Sequence, residues 1–164
     1  MRSMTMLPAM LAAFCVNAQQ VPAALEPAGE VIAFTVSAKG VQIYECRMRK
    51  ESTGNEWTFV APEADLFDAS GKKVGTHGAG PFWQATDGSR IEGSVKQRAD
   101  APAAGAIPWL LLTTRSVGGN GTLREVTSVQ RINTVGGVAP AGACEAGANA
   151  RVPYTADYRF FKAK

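Results

Sequence analysis

The feature that most narrows the fold of this chain is a succession of short β-branched and aromatic segments, each closed by turn residues. They fall at residues 31–36, 41–48, 57–60, 64–67, 82–85, 90–96, 109–116, 125–133 and 154–161. Lys39-Gly40 reads as the turn between the first two. Asp68-Ala69-Ser70-Gly71 and Asp87-Gly88-Ser89 read as tight turns, because Asp bonds its own backbone and Gly accepts positive φ. Within 125–133 the residues alternate, with Val126, Ser128, Gln130 and Ile132 opposed to Thr127, Val129 and Arg131. No apolar stripe recurs at the 3.6-residue helical period. The pattern predicts an all-β fold, a single-domain antiparallel β-sandwich or barrel of about nine strands.

The segments run without a break in composition. A length of 164 residues with 46% hydrophobic content suffices for one ordinary core and not for two. Residues 31–164 therefore read as one β domain, preceded by a Pro/Ala-rich lead-in over 19–30. The 17 glycines and 9 prolines fit a chain that turns often.

Residues 1–18 differ from everything after them. Arg2 supplies a positive start, and an uncharged apolar stretch follows over 6–16. Val16-Asn17-Ala18 offers the short residues that a signal peptidase needs before Gln19. The pattern predicts a cleaved signal peptide and a secreted or periplasmic protein. The stretch is too short for a stable membrane anchor, and the later apolar run over 107–114 has the length of a strand. Cys15 lies in the leader, which leaves Cys46 and Cys144, 98 positions apart. In an oxidising compartment an isolated pair most simply forms one disulfide. Closing a loop of that length stabilises by roughly 4–5 kcal/mol in the chain-entropy account. The alternative, a metal or redox pair, lacks a C-x-x-C spacing and a nearby histidine.

The formal net charge is +3, one unit less without Arg2, and no run of Lys and Arg concentrates it. That argues against a nucleic-acid partner. The chain has no G-x-S-x-G elbow, and Gly118-Gly119-Asn120-Gly121 lacks the lysine and helix of a phosphate loop. One histidine is a poor start for zinc, and no spaced calcium loop occurs, so neither a metal nor a cofactor is expected.

The densest cluster of chemistry spans 76–83 and continues to 87–89. It holds the only histidine, His77, together with Trp83 and Asp87. Gly78 and Gly80 would let a ligand approach the backbone closely. His77 could act as a general base near neutral pH, with Asp87 as its carboxylate. The plainer reading makes His77 a strand-end residue bonding a backbone carbonyl. Of the three tryptophans, Trp109, beside Leu110-Leu111-Leu112, is the expected core member, and Trp83, after a Gly/Pro loop, is the one expected to line a pocket. His77, Gly78, Gly80, Trp83 and Asp87 are thus the candidate ligand-binding residues, and His77 with Asp87 the candidate catalytic pair.

Several motifs together resemble one family. They are Tyr44-Glu45-Cys46, the H-x-x-G-P-x-W run from His77 to Trp83, Asp87-Gly88-Ser89, Trp109-Leu110-Leu111-Leu112 and Gln130-Arg131-Ile132-Asn133-Thr134. Gly136-Gly137-Val138-Ala139-Pro140, Cys144 and the closing Tyr154-Thr155-Ala156-Asp157-Tyr158 complete the set. Over about 21–161 the chain resembles the domain-of-unknown-function family 3455, found in bacteria and fungi. The resemblance implies secretion, and both cysteines fall within the matching motifs. It brings no catalytic residues. The resulting expectation is an exported, non-catalytic β domain that binds a small molecule, glycan or envelope partner. The rival is a secreted hydrolase or metal-assisted enzyme using His77 and Asp87, and a third reading is a structural envelope protein.

Overall fold

The structure, a computed structural model, describes residues 19–50 and 53–164; the expected signal peptide lies outside them. Eight strands follow in order: β1 (Glu30–Met48), β2 (Asn55–Phe67), β3 (Lys73–Gly78), β4 (Phe82–Ala85), β5 (Arg90–Ala99), β6 (Trp109–Gly118), β7 (Ser128–Gly136) and β8 (Asn149–Ala163). Each pairs antiparallel with the next, and β8 returns to pair with β1, so the sheet closes into a barrel. Closure leaves no free sheet edge.

The expected nine strands become eight for two reasons. The runs at 31–36 and 41–48 are one strand, as are those at 57–60 and 64–67. Gly40 is therefore no turn. It sits where β1 is flanked by both β2 and β8, and a Cβ there would collide with the Glu63 carbonyl and Ala64. The segment Lys73–Gly78, missing from the expected strands, is β3.

The period-2 alternation sorts the side chains. Val36, Ala38, Leu66, Ile91, Leu112, Val129 and Phe160 fill the barrel. At the end formed by the β2–β3, β4–β5 and β6–β7 connections, Leu123 and Val126 are buried against this core. The opposite face of β6 and β7 carries a second cluster outside the barrel: Trp109, Leu111 and Ile132 under Leu25. The lead-in supplies that cover through a short 3-10 turn, Ala23–Leu25, fixed by Gln130 Nε2 donating 2.7 Å to the Leu25 carbonyl. Complete burial of a leucine contributes about 1.5–3 kcal/mol, so the lead-in belongs to the fold.

Cys46 and Cys144 form a disulfide, with Cα atoms 5.9 Å apart. Cys46 lies near the end of β1. Its backbone exchanges hydrogen bonds with Gly147 and Ala148, next to where β1 pairs with β8. The bond thus locks the seam at which the first and last strands meet.

Candidate functional site

The end of the barrel away from Leu123 and Val126 is not filled. A cavity of about 490 Å³ opens there among the β3–β4 and β5–β6 connections. That lies within the ~300–1,000 Å³ range of small-molecule sites. Two β-bulges shape its mouth. In β2, Tyr44 pairs with Phe59 and Ile43 with Ala61, which leaves Val60 as the extra residue. In β5, Val95 pairs with Leu112 and Gln97 with Leu111, which leaves Lys96 over. Bulges are common at barrel rims because they re-aim side chains. Here they accompany an apolar lip of Phe59, Val60 and Val95, each 45–57% exposed.

The inner wall is aromatic. His77 on β3 faces Trp83 on β4 through a direct cross-strand pair, and the rings stack at 4.6 Å and 15°. Tyr158 on β8 meets both, at 5.1 Å from His77 and 5.6 Å from Trp83. Tyr44 stands edge-on to Phe59 and donates its hydroxyl to the Gly137 carbonyl at 2.6 Å.

His77 is buried, 4% exposed, and its Nδ1 lies 2.7 Å from the Phe82 carbonyl. A carbonyl can only accept, so Nδ1 carries the proton and Nε2 keeps its lone pair. Burial pushes the imidazole pKa down to about 4. The Phe82 bond opposes that drop, and the Arg131 cation adds to it. His77 is therefore neutral at physiological pH.

Arg131 is the charged member of the inner wall. It projects from β7 in register with inward-facing Leu110 and Tyr158. Its Nε and Nη2 donate to the Pro108 carbonyl at 3.1 and 2.8 Å. The Tyr44, Tyr154 and Tyr158 hydroxyls all have pKa values raised chiefly by burial, with Arg131 pulling each the other way. Arg98 marks the exposed rim. Two side chains of the wall bury their N–H groups behind it: the Trp83 Nε1 donor has no partner, and the Gln42 side chain lies against the Tyr154 hydroxyl. Trp109 Nε1 also lacks a partner, but it belongs to the cluster outside the barrel.

Of the residues singled out in the sequence, the structure brings His77, Gly80 and Trp83 to this cavity. Gly80 has φ +134 and precedes Pro81 through a cis peptide bond. Gly78 instead makes room for the Phe82 ring, over which the Arg90 guanidinium lies at 3.8 Å. Asp87 is at the other end of β4. One carboxylate oxygen accepts from the Ser89 amide and hydroxyl, and the other accepts from the Thr122 amide and hydroxyl. These bonds hold the carboxyl well below the usual carboxylate range. His77 and Asp87 are thus not brought together. Gln42, Tyr44, Arg131 and Tyr158 escaped the sequence reading. The signal for Arg131 was its phase, since it shares the face of buried Val129.

The structure defines a closed, eight-stranded antiparallel barrel with an aromatic-walled cavity in one mouth and one disulfide across its seam. The chain matches the family described as protein of unknown function (DUF3455) over residues 27–162, and it belongs to that family. No curated protein and no solved structure matches it.

Proposed function

We propose that this protein is an exported, non-catalytic carrier that binds a small molecule in the mouth of its barrel. The cavity carries the reading. An eight-stranded barrel is just wide enough either to fill with side chains or to hold one small ligand. At one end Leu123 and Val126 pack on the core and leave a smaller cavity of about 240 Å³, and the other end is lined with rings. Exposed Phe59, Val60 and Val95 at the lip suit the entry of an apolar body. The disulfide supports maturation in an oxidising compartment, as does the apolar leader in the sequence. The outward faces of the strands carry the pairs Arg151–Glu63, Lys73–Asp65 and Arg115–Glu92, which suit water and not a lipid belt.

A catalytic pairing of His77 with Asp87 gains nothing from this geometry. The carboxylate is bonded elsewhere, and the imidazole is too weak a base at neutral pH.

The test uses the neutral fluorophore N-phenyl-1-naphthylamine. It is expected to bind the oxidised protein with enhanced emission. Val95→Trp, at an exposed lip position, should narrow the entrance and weaken binding at least about tenfold without lowering Tm. Binding that ignores the Trp substitution, or no binding at all, would count against a mouth site.

A further inference from the structure

The cavity wall constrains the ligand's chemistry. Among the described residues none that lines it is Asp or Glu, whereas Arg131 stands inside and Arg98 at the rim. Among the described residues Arg131 forms no ion pair. Its partner, the Pro108 carbonyl, accepts hydrogen bonds but leaves the cation uncompensated. Arg131 is part-buried and held in place by Pro108, so an anion entering the cavity meets a positioned cation where pairing is stronger than on the open surface. The surrounding tyrosines do not supply a negative charge, because burial holds their hydroxyls protonated.

The Gln42 amide and the Trp83 indole N–H have essentially no accessible surface, so they back the wall and do not reach into the cavity, and the Gln42 side chain lies against the Tyr154 hydroxyl. The chemistry offered to an incoming group is therefore that of Arg131 and its acid-free surroundings. A carboxylate accepts several N–H bonds, pairs with a guanidinium and tolerates no acid beside it. The rest of the ligand is constrained by the rings of His77, Trp83 and Tyr158 on one side and of Tyr44 and Phe59 on another. Flat walls of this kind favour a flat partner, which they meet by stacked or edge-on contact.

We propose that the cavity binds a small aromatic carboxylate, its carboxylate directed to Arg131 and its ring against the aromatic wall. This inference rests on the mouth-site reading above. Arg98 at the rim adds a second positive charge on the approach path, so association should slow as salt rises.

Calorimetric titration of the oxidised protein with 2-naphthoate and its neutral isostere 2-naphthamide tests the idea. The carboxylate is expected to bind at least about tenfold more tightly, and Arg131→Gln should erase the preference while Arg131→Lys retains part of it. The wild-type comparison stands even if Arg131→Gln fails to fold. A further wild-type readout is the Trp83 indole N–H resonance, assigned with Trp83→Phe, which should move on adding naphthoate. Equal affinities for the two isosteres, or a preference unaffected by Arg131→Gln, would overturn the carboxylate assignment. If N-phenyl-1-naphthylamine still enters the mouth in that case, the small-molecule reading survives alone. If none of the three probes binds, both fall.

Discussion

Lowering the pH from 7 to 4 should weaken this barrel through one identifiable side chain. His77 is the only histidine in the chain, and in the native fold burial pushes its pKa from 6.5 down to about 4. The unfolded chain takes up a proton as the pH falls through 6.5, whereas the native barrel refuses it until about 4. The contribution of the neutral imidazole is therefore complete above 6.5, erodes through the interval, and is lost below about 4. A drop of that size corresponds to about 3 kcal/mol of folding free energy. Ordinary carboxylates titrate near 4, and Asp68 and Asp87 are held lower still by hydrogen bonds, first from Ser70 and Ser89 respectively. Between pH 6.5 and 4.5 the slope thus belongs to His77. Urea unfolding followed by tryptophan emission at half-unit steps should show stability falling by roughly 1 kcal/mol per pH unit there. His77→Gln, which cannot titrate, should flatten the slope. A wild-type curve as flat as the variant's, or an imidazole that titrates near 6.5 by NMR, would refute the argument from burial.

Three further perturbations separate the remaining parts. Replacing both Cys46 and Cys144 with Ser opens a loop of 98 residues and should cost roughly 4–5 kcal/mol in urea unfolding; a loss below about 1 kcal/mol would mean that β1 and β8 stay together in the unfolded chain without the bond. Gly93→Ala would place a Cβ 2.9 Å from the edge of the Trp83 ring, so it should destabilise by about 1–3 kcal/mol and weaken naphthoate binding, and a variant that binds normally would show that Trp83 does not shape the site. Asp87→Asn should speed hydrogen exchange at the Thr122 amide, which the carboxylate holds at 2.7 Å, while leaving mouth binding unchanged; altered binding would make Asp87 part of the site after all.

The strands were legible because their residues pack on a pleated surface and their turns use Asp and Gly in recognisable ways. Gly40 was misread because a glycine that turns a chain and a glycine that lets two strands approach closely look alike in one sequence. What distinguishes them is the position of Ala64 and Glu63 on a partner strand. Lys73–Gly78 was overlooked because Lys73, Gly75 and Gly78 have poor strand propensity; the segment is a strand because β2 and β4 pair with it from both sides. The choice between sandwich and barrel was not local at all. It turns on the pairing of β1 with β8, from Glu30 opposite Ala163 to Glu45 opposite Asn149.

The site was legible only where unusual residues cluster along the chain, and that cue is partly misleading. His77 and Trp83 are close in sequence and become cross-strand partners because a tight connection joins β3 to β4. Asp87 is just as close to Trp83 in sequence, yet the strand carries it away at about 3.3 Å per residue to the packed end. There it ties the β4–β5 turn to the β6–β7 connection. Arg131 shows the better rule. It sits far from the cluster, but it shares a strand face with Val129, which is completely buried. A cation in phase with the core is costly wherever the barrel is filled, so its presence points to an unfilled stretch, and Arg131 is only part-buried there. Phase along each strand locates this cavity where proximity along the chain does not, because all eight strands contribute to its wall.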